Sequence, residues 1–210
     1  MIATLKAAKE IAGTLGHPSK MPGHSYGLPA AACITGSKLR GVKGTPCENC
    51  YAYKRGNYRF TSVQVSQERR LDGIEHPQWV DAMVLLIDRA VMKSGEPFFR
   101  WHDSGDLQGL QHLTDICTVA DRLPHVRFWL PTQERLLIKL LDRPLPANLI
   151  IRLSGAKVDG RPPNAWPHTS TVHTNDHQGH LCPAPTQGNN CGTCRACWDD
   201  TVSNVSYHIH

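Results

Sequence analysis

The sequence predicts an α/β protein whose parallel β-sheet is either doubly wound or curled into a partial (β/α) barrel. Three short runs rich in aromatic and β-branched residues carry this prediction, at Phe98–His102, Val126–Leu130 and Leu149–Leu153. Helical patterns follow the first two runs, near residues 108–121 and 133–141. Strands that alternate with helices in this order form parallel sheets. The right-handed rule for such crossovers curls successive units in one direction.

The other elements are expected in the following places. Residues 1–15 are expected to form a short helix, and the Gly, Pro and His residues of His17–Gly27 are typical of a surface loop. Apolar residues at helical spacing predict the clearest helix between Pro77 and Lys93. The segment Gly155–Pro185 is poor in apolar residues, so we expect it to wrap the outside of the sheet or to cover one end.

Length and composition exclude several classes of protein. The 210 residues fit one domain, residues 1–210. The 17 Gly and 15 Pro are too few for a collagen-like or disordered chain. A net charge of +5 is far below that of a dedicated nucleic-acid binder. No run approaches the roughly 18 apolar residues that span a bilayer, so we expect no membrane association.

The eight cysteines predict metal chemistry. Charged residues interrupt Met1–Gly16, which therefore lacks the continuous apolar region of a signal peptide. We accordingly expect a cytoplasmic protein. In that reducing compartment, cysteines act as metal ligands or catalytic thiols more often than they form disulfides.

Four cysteines lie near the C-terminus, in a metal-binding segment at residues 180–200 with the spacing C-x8-C-x2-C-x2-C: Cys182, Cys191, Cys194 and Cys197. Two successive C-x2-C steps gather three thiolates in a small volume, as iron-sulfur sites require. Structural zinc usually draws on two C-x2-C pairs about 15 to 20 residues apart. The spacing therefore favours a 4Fe-4S cluster and leaves zinc as the alternative. His173, His177 and His180 lie close to Cys182 and form a further candidate zinc set.

A second group consists of Cys33, Cys47 and Cys50. Three thiolates without a fourth would leave one iron of a 4Fe-4S cluster open to water or substrate, as a catalytic zinc keeps an open position. One alternative stays open, in which Cys33 is a buried apolar residue and Cys47 and Cys50 complete a zinc or cluster site with two of the C-terminal thiols. The chain would hold two clusters or one accordingly. Cys117 lies on the apolar stripe of a helix and is expected in the core.

Polar residues follow the first predicted strand, where a parallel sheet gathers its ligand-binding edge. His102, Asp103 and Asp106 are the candidate catalytic residues, because they would converge on a pocket there. Gly105 would let a ligand approach the backbone. Asp106 or Ser104 is equally suited to cap a helix. Arg152 alternates with apolar neighbours in the third strand and would face an anion or a carboxylate.

Basic and aromatic residues interleave directly after Cys50: Tyr51, Tyr53, Lys54, Arg55, Tyr58, Arg59 and Phe60. Such a mixture can stack bases and contact phosphates. Shielding of a cluster or a solvated helix face explains it as well. Nucleic acid is therefore a candidate partner of this segment.

Several stretches together resemble a bacteriophage family known as gene product eighty-eight. They are Leu28–Ala30, Cys33–Gly36, Cys47–Ala52, Phe99–Asp106, Trp129–Thr132, Cys182–Ala184 and Cys194–Trp198. The resemblance implies a phage-encoded protein in a bacterial host cytoplasm, and it implies no particular activity.

The phrase Cys47–Ala52 is also similar to phage proteins that resemble radical S-adenosylmethionine enzymes. That resemblance implies a partial barrel and a three-cysteine 4Fe-4S cluster that binds S-adenosylmethionine. Ser104, Gly105 and Arg152 are then the candidate cofactor-binding residues. The sequence departs from the usual C-x3-C-x2-C motif, because thirteen residues separate Cys33 from Cys47.

Three functions follow from these patterns. The first is an iron-sulfur protein that acts as a radical enzyme on an unidentified small-molecule substrate. The second is a zinc-stabilised module that binds nucleic acid or a host protein. The third is a cluster with a purely structural or electron-transfer role.

Overall fold

The fold is built on a seven-stranded sheet in which every neighbouring pair of strands is parallel. The structure, a computed structural model, describes residue 2 and residues 4–53 and 56–209. The strands are β1 (His24–Tyr26), β2 (Phe98–Trp101), β3 (Arg127–Thr132), β4 (Leu149–Val158), β5 (Thr169–His173), β6 (His180–Leu181) and β7 (Asn204–His208). Their order across the sheet is β1-β2-β3-β4-β5-β7-β6.

Within the described residues, six α-helices accompany the sheet. They are α1 (Leu5–Ala12), α2 (Ile34–Leu39), α3 (Thr61–Gly73), α4 (Trp79–Ser94), α5 (Leu110–Arg122) and α6 (Arg135–Leu140). Alternate residues of the strands, such as Phe99, Trp101 and Phe128, join the apolar sides of α1, α4 and α5 in one buried cluster. Burial of this apolar area supplies the main favourable contribution to folding.

The parallel α/β sheet predicted from the sequence is confirmed. The three predicted strands are β2, β3 and the first half of β4, and the helices predicted between them are α5 and α6. The predicted helix at 77–93 is α4, which ends at Gly95 in a left-handed conformation. The helix expected over residues 1–15 is shorter, because Gly13 ends α1 at Ala12.

Two parts of the sheet differ from the expectation. The loop expected at His17–Gly27 contains β1. The segment Gly155–Pro185, expected to wrap the outside, instead continues β4 to Val158 and supplies β5 and β6. Parallel neighbours on both sides satisfy the backbone of β5, so this polar segment is held by hydrogen bonds to the sheet.

The sheet remains open in the described part of the chain, with β1 at one edge and β6 at the other. The finer expectation of a radical-enzyme-like partial barrel therefore stays a prediction. Among the described helices, none is both long and apolar enough to cross a membrane.

Candidate functional site

A cavity of about 370 Å³ lies where the carboxyl ends of the central strands meet the loops that follow β1. Side chains from β2, β3, β4, β5 and β7 line it, together with the segment that carries Cys33, Cys47 and Cys50. Its volume falls within the range of small-molecule sites. The predicted convergence of polar residues at this edge of the sheet therefore coincides with a real pocket.

Cys33, Cys47 and Cys50 all line the cavity. A Cβ atom built on Gly36 would lie 3.6 Å from the Sγ of Cys33 and 3.6 Å from the Sγ of Cys47. The two sulfurs are therefore separated by no more than twice that distance, with only a glycine between them. The absence of a side chain at Gly36 leaves the sulfurs accessible to a common ligand.

Burial keeps the thiols of Cys33 and Cys47 protonated when no metal is bound. The pKa of Cys33 is raised to about 12, chiefly by burial and then by Asp106 and the neighbouring thiols. Burial likewise raises the pKa of Cys47 to about 11, with Cys50 as the next cause. Metal binding would have to displace these protons.

Cys33 lies at the N-terminus of α2, and hydrogen bonds to neighbouring segments hold this end of the helix in place. Glu134, which follows β3, accepts hydrogen bonds from the Thr35 backbone N–H and hydroxyl, both at 2.7 Å. On the other side of the loop, Arg40 donates to the Ala30 carbonyl at 2.9 Å and stacks on the ring of Tyr53 at 3.6 Å. These contacts tie the cysteine-bearing segment to the sheet.

His102 is a buried cavity residue with two unpaired ring nitrogens. It lies directly after β2 at φ 55°, a backbone conformation rare for a residue other than glycine. Neither Nδ1 nor Nε2 has a hydrogen-bond partner among the described residues. Its ring contacts those of Trp101 and His112. Burial lowers the pKa of His102 well below its usual value, so the imidazole is neutral.

Asp103 and Ser104 hold the strand ends together. Asp103 Oδ2 accepts a hydrogen bond from the Ser25 hydroxyl at 3.1 Å, and its backbone carbonyl accepts from the hydroxyls of Tyr51 and Tyr58. The Ser104 hydroxyl donates to the Leu28 carbonyl at 2.8 Å. Both side chains therefore have structural partners as well as a place in the cavity wall.

Gly105 lies in the cavity wall, and its backbone also packs closely against Leu28. Its φ is 75°, and a Cβ there would lie 2.7 Å from the Leu28 Cβ and 2.9 Å from the Leu28 carbonyl oxygen. The glycine is required for this contact between the β1 and β2 loops. The expectation that Gly105 lets a ligand approach the backbone stays a prediction.

Asp106 joins the ends of β2 and β3. Its carboxylate accepts hydrogen bonds from the Thr132 hydroxyl at 2.6 Å, the Gln133 N–H at 2.8 Å and the Leu107 N–H at 2.8 Å. It does not cap α5, whose N-cap residue is Gly109. Burial raises the pKa of Asp106 to about 7, although the three hydrogen bonds oppose the shift. The carboxyl can therefore gain or lose a proton near neutral pH.

Arg152 does not line the cavity, unlike the other predicted catalytic and cofactor-binding residues. It is fully buried, and its guanidinium donates to the carbonyls of Thr169, Ala196, Cys197, Asp199 and Val202. These five bonds match the five N–H donors of an arginine. We therefore correct the expectation of a cofactor-binding Arg152: the side chain holds the backbone that carries Cys197.

The four C-terminal cysteines form a second group outside the cavity wall. Burial raises the pKa of Cys182, Cys191 and Cys197, the last to about 12. In each case another cysteine of the C-terminal group, Cys182 or Cys194, also raises the pKa. Cys194 Sγ lies 3.5 Å from His180 Nε2, and Cys197 Sγ lies 3.2 Å from the Tyr207 hydroxyl. Cys117 is fully buried in the core, as expected.

Sequence reasoning missed Arg100 as a cavity residue. Its guanidinium carbon lies 4.5 Å from the centre of the Trp129 ring, and both residues line the cavity. The signal was present in the alternation of Arg100 with the apolar residues Phe99 and Trp101, the same pattern that singled out Arg152. Arg100 also lies close enough to lower the pKa of Cys191 and Cys197.

The thiol groups differ from a preformed site for one metal ion. Within the described ranges, no three His, Cys, Asp or Glu side chains are placed to hold one ion. A single zinc needs all its sulfurs about 2.3 Å from one point. Thiolates of a 4Fe-4S cluster bind different irons and need not meet at one point.

The basic and aromatic segment after Cys50 is only partly described, because Lys54 and Arg55 lie outside the described residues. Tyr51 and Tyr58 contact each other edge to face, with ring centres 5.9 Å apart. Their hydroxyls both donate to the Asp103 carbonyl. These tyrosines fix the segment against the cavity wall, and a role in nucleic-acid binding stays a prediction.

Comparison with known proteins gives one match. A family model described as Gene product 88 matches residues 3–200 of the chain. No curated protein and no solved structure matches the chain.

Proposed function

The chain belongs to the Gene product 88 family, and we propose that it is an iron-sulfur protein whose Cys33, Cys47 and Cys50 hold a 4Fe-4S cluster in the cavity wall. One observation carries the proposal. The sulfurs of Cys33 and Cys47 flank Gly36, where any larger residue would intrude between them. Cys50 lines the same cavity, so three thiolates are available on one side of the open space.

The cavity supplies what an open cluster site needs. Three protein thiolates would leave one iron without a protein ligand, available to a small molecule. His102, Asp103 and Asp106 line the same cavity, and Asp106 has a proton to exchange near neutral pH. In this proposal Asp106 exchanges a proton with a bound molecule, and the neutral His102 offers it a hydrogen bond.

The finer proposal is a radical enzyme that binds S-adenosylmethionine at the open iron. It draws on the resemblance of the Cys47–Ala52 phrase and on the position of this phrase at the carboxyl edge of a parallel sheet. Its test is spectroscopic: S-adenosylmethionine added to the reduced, cluster-loaded chain changes the cluster's electron paramagnetic resonance spectrum. If the spectrum does not change and S-adenosylmethionine is not cleaved, the result favours a cluster with a structural or electron-transfer role.

Anaerobic purification, followed by quantification of iron, sulfide and zinc, tests the cluster itself. We expect iron and sulfide in equal amounts in the wild-type chain. Cys47→Ala should lose the cavity cluster, and Cys194→Ala should keep it. Cys117→Ala is the matched control, because this thiol lies in the core away from both groups. A colourless, iron-free wild-type chain would refute the proposal.

For the C-terminal group we propose a second, closed metal centre formed by Cys182, Cys191, Cys194 and Cys197. Four protein thiolates leave no open position on a metal or cluster. The contact between His180 and Cys194 favours a zinc alternative, since mixed Cys and His sets are typical of structural zinc. The zinc alternative predicts that the wild-type chain binds zinc stoichiometrically and that the zinc content falls in both Cys194→Ala and His180→Ala.

A further inference from the structure

Arg100 places a positive charge in the wall of the cavity. Its neighbours in β2, Phe99 and Trp101, are fully buried in the core on the helix-covered face. Because successive strand residues point to opposite faces, Arg100 points to the other face and reaches the cavity. The ring of Trp129, its register partner in β3, lies beneath the guanidinium. This stacking fixes the direction of the side chain.

The half-buried side chain of Arg100 has hydrogen-bonding capacity that the described residues leave unused. Its Nε is buried without a hydrogen-bond acceptor. No carboxylate of the described residues forms an ion pair with it. Arg152, the comparable arginine of β4, instead has five carbonyl acceptors. Since a partly buried cation without an ion pair is unfavourable, an acceptor from outside the chain would complete the environment of Arg100.

The surroundings of Arg100 select the kind of acceptor. Several N–H or hydroxyl groups line the same cavity: the Trp129 indole N–H, which is buried and unpaired, and the hydroxyls of Ser154, Ser170 and Tyr207. The Asp103 carboxylate lies in the same wall; its Oδ2 accepts from Ser25, its Oδ1 is buried without a partner, and it forms no ion pair with Arg100. The guanidinium and the donors together favour an oxyanion, and the planar arginine fork matches carboxylate and phosphate oxygens.

We propose that the cavity binds a small molecule bearing an oxyanion, a carboxylate or a phosphate, whose charged end contacts Arg100. This inference rests on the proposed function in one respect, namely that the cavity beside the three cysteines is the reaction site. The anion itself needs no cluster in order to bind. A volume of about 370 Å³ admits a metabolite-sized molecule.

Thermal unfolding of the metal-free chain, titrated with inorganic phosphate or with acetate at constant ionic strength, tests the proposal. A ligand that binds the folded chain raises the unfolding temperature. Arg100→Gln should weaken binding of the preferred anion about tenfold, the loss expected for a charged hydrogen bond. Arg100→Lys keeps the charge and should retain part of the affinity. Arg127→Gln, an exposed arginine of the adjacent strand, is the matched control.

The outcomes separate the two anions and the two proposals. A stronger effect of phosphate identifies a phosphate ligand, and a stronger effect of acetate identifies a carboxylate. Equal stabilisation of wild type and both Arg100 variants would mean general salt effects and would overturn the inference. If the chain binds an anion through Arg100 yet never holds iron, the cluster proposal fails alone. If a cluster assembles and neither anion binds before or after assembly, the anion site fails alone.

Discussion

The hydroxyl of Tyr207 lies 3.2 Å from the sulfur of Cys197, and the same tyrosine lines the cavity. One side chain thus connects the C-terminal cysteine group with the proposed reaction site. Burial raises the pKa of Cys197 to about 12, whereas the hydrogen bond from Tyr207 acts in the opposite direction. The hydroxyl therefore stabilises the Cys197 thiolate that a metal centre requires.

Tyr207→Phe should make the reduction potential of a C-terminal cluster more negative. Hydrogen bonds to cluster sulfurs stabilise the added electron, so their loss disfavours reduction. An anaerobic redox titration followed by electron paramagnetic resonance measures the effect. Tyr58→Phe is the control, because its hydroxyl donates to the Asp103 carbonyl and to no cysteine. Identical potentials in wild type and Tyr207→Phe would contradict a hydrogen bond to a cluster ligand.

Arg152→Met should lower the free energy of unfolding by about 3 kcal/mol or more, because five buried carbonyls lose a charged donor. The loss should be concentrated in the segment 196–202, whose backbone Arg152 holds. Urea unfolding gives the global change, and amide hydrogen exchange locates it. The control is Arg127→Met, on an exposed side chain of β3. Unchanged exchange in this segment would show that other contacts hold it.

Much of the fold was predictable because β2, β3 and β4 are apolar runs separated by helices of regular period. β1, β5 and β7 escaped detection for a physical reason. They are short or rich in Ser, Thr and His, and they are held by hydrogen bonds to neighbours distant in sequence. No local pattern records such a partner, since tertiary context decides whether a polar segment becomes a strand.

The candidate site was predictable in location but only partly in the roles of its residues. The rule for parallel sheets placed His102, Asp103 and Asp106 at the cavity. Arg152 and Arg100 have the same alternating pattern, yet one supports a loop and the other faces the cavity. The difference depends on what covers each side chain. In the case of Arg152 it is the segment 196–202, some 45 residues further along the chain.

His112 should make the protein less stable in mild acid. Burial lowers its pKa from 6.5 to about 4, so the unfolded chain takes up the proton first as the pH falls. The free energy of unfolding therefore decreases between pH 6.5 and pH 4, by about 3 kcal/mol from this residue. His112→Asn keeps the acceptor for the Gln108 N–H and should reduce this decrease. His102 has a lowered pKa as well and adds to the decrease.

Chemical denaturation at several pH values measures this contribution. His76→Asn is the matched control, because His76 accepts a backbone N–H through Nδ1 in the same manner but is exposed. Equal pH profiles for His112→Asn and wild type would show that the pKa of His112 is the same in the folded and unfolded chains and would contradict the prediction.

Gly36→Ala should reduce the iron content while leaving the metal-free fold intact. The added Cβ would lie 3.1 Å from the Cys33 Cβ and 3.6 Å from the Sγ of both Cys33 and Cys47, so it would occupy the space between the proposed ligands. Alanine is favoured over glycine within a helix such as α2 by up to about 1 kcal/mol. A loss of iron in this variant therefore cannot be attributed to a weaker helix.

Iron and sulfide analysis of Gly36→Ala after anaerobic reconstitution, with thermal unfolding of the metal-free form, separates these effects. Gly109→Ala is the control, since a Cβ there meets open space and its backbone is extended. Full iron content in Gly36→Ala would mean that the sulfurs of Cys33 and Cys47 do not share a cluster across this glycine. Because Cys50 would then lack a second cavity partner, the C-terminal group would be left as the remaining place for iron.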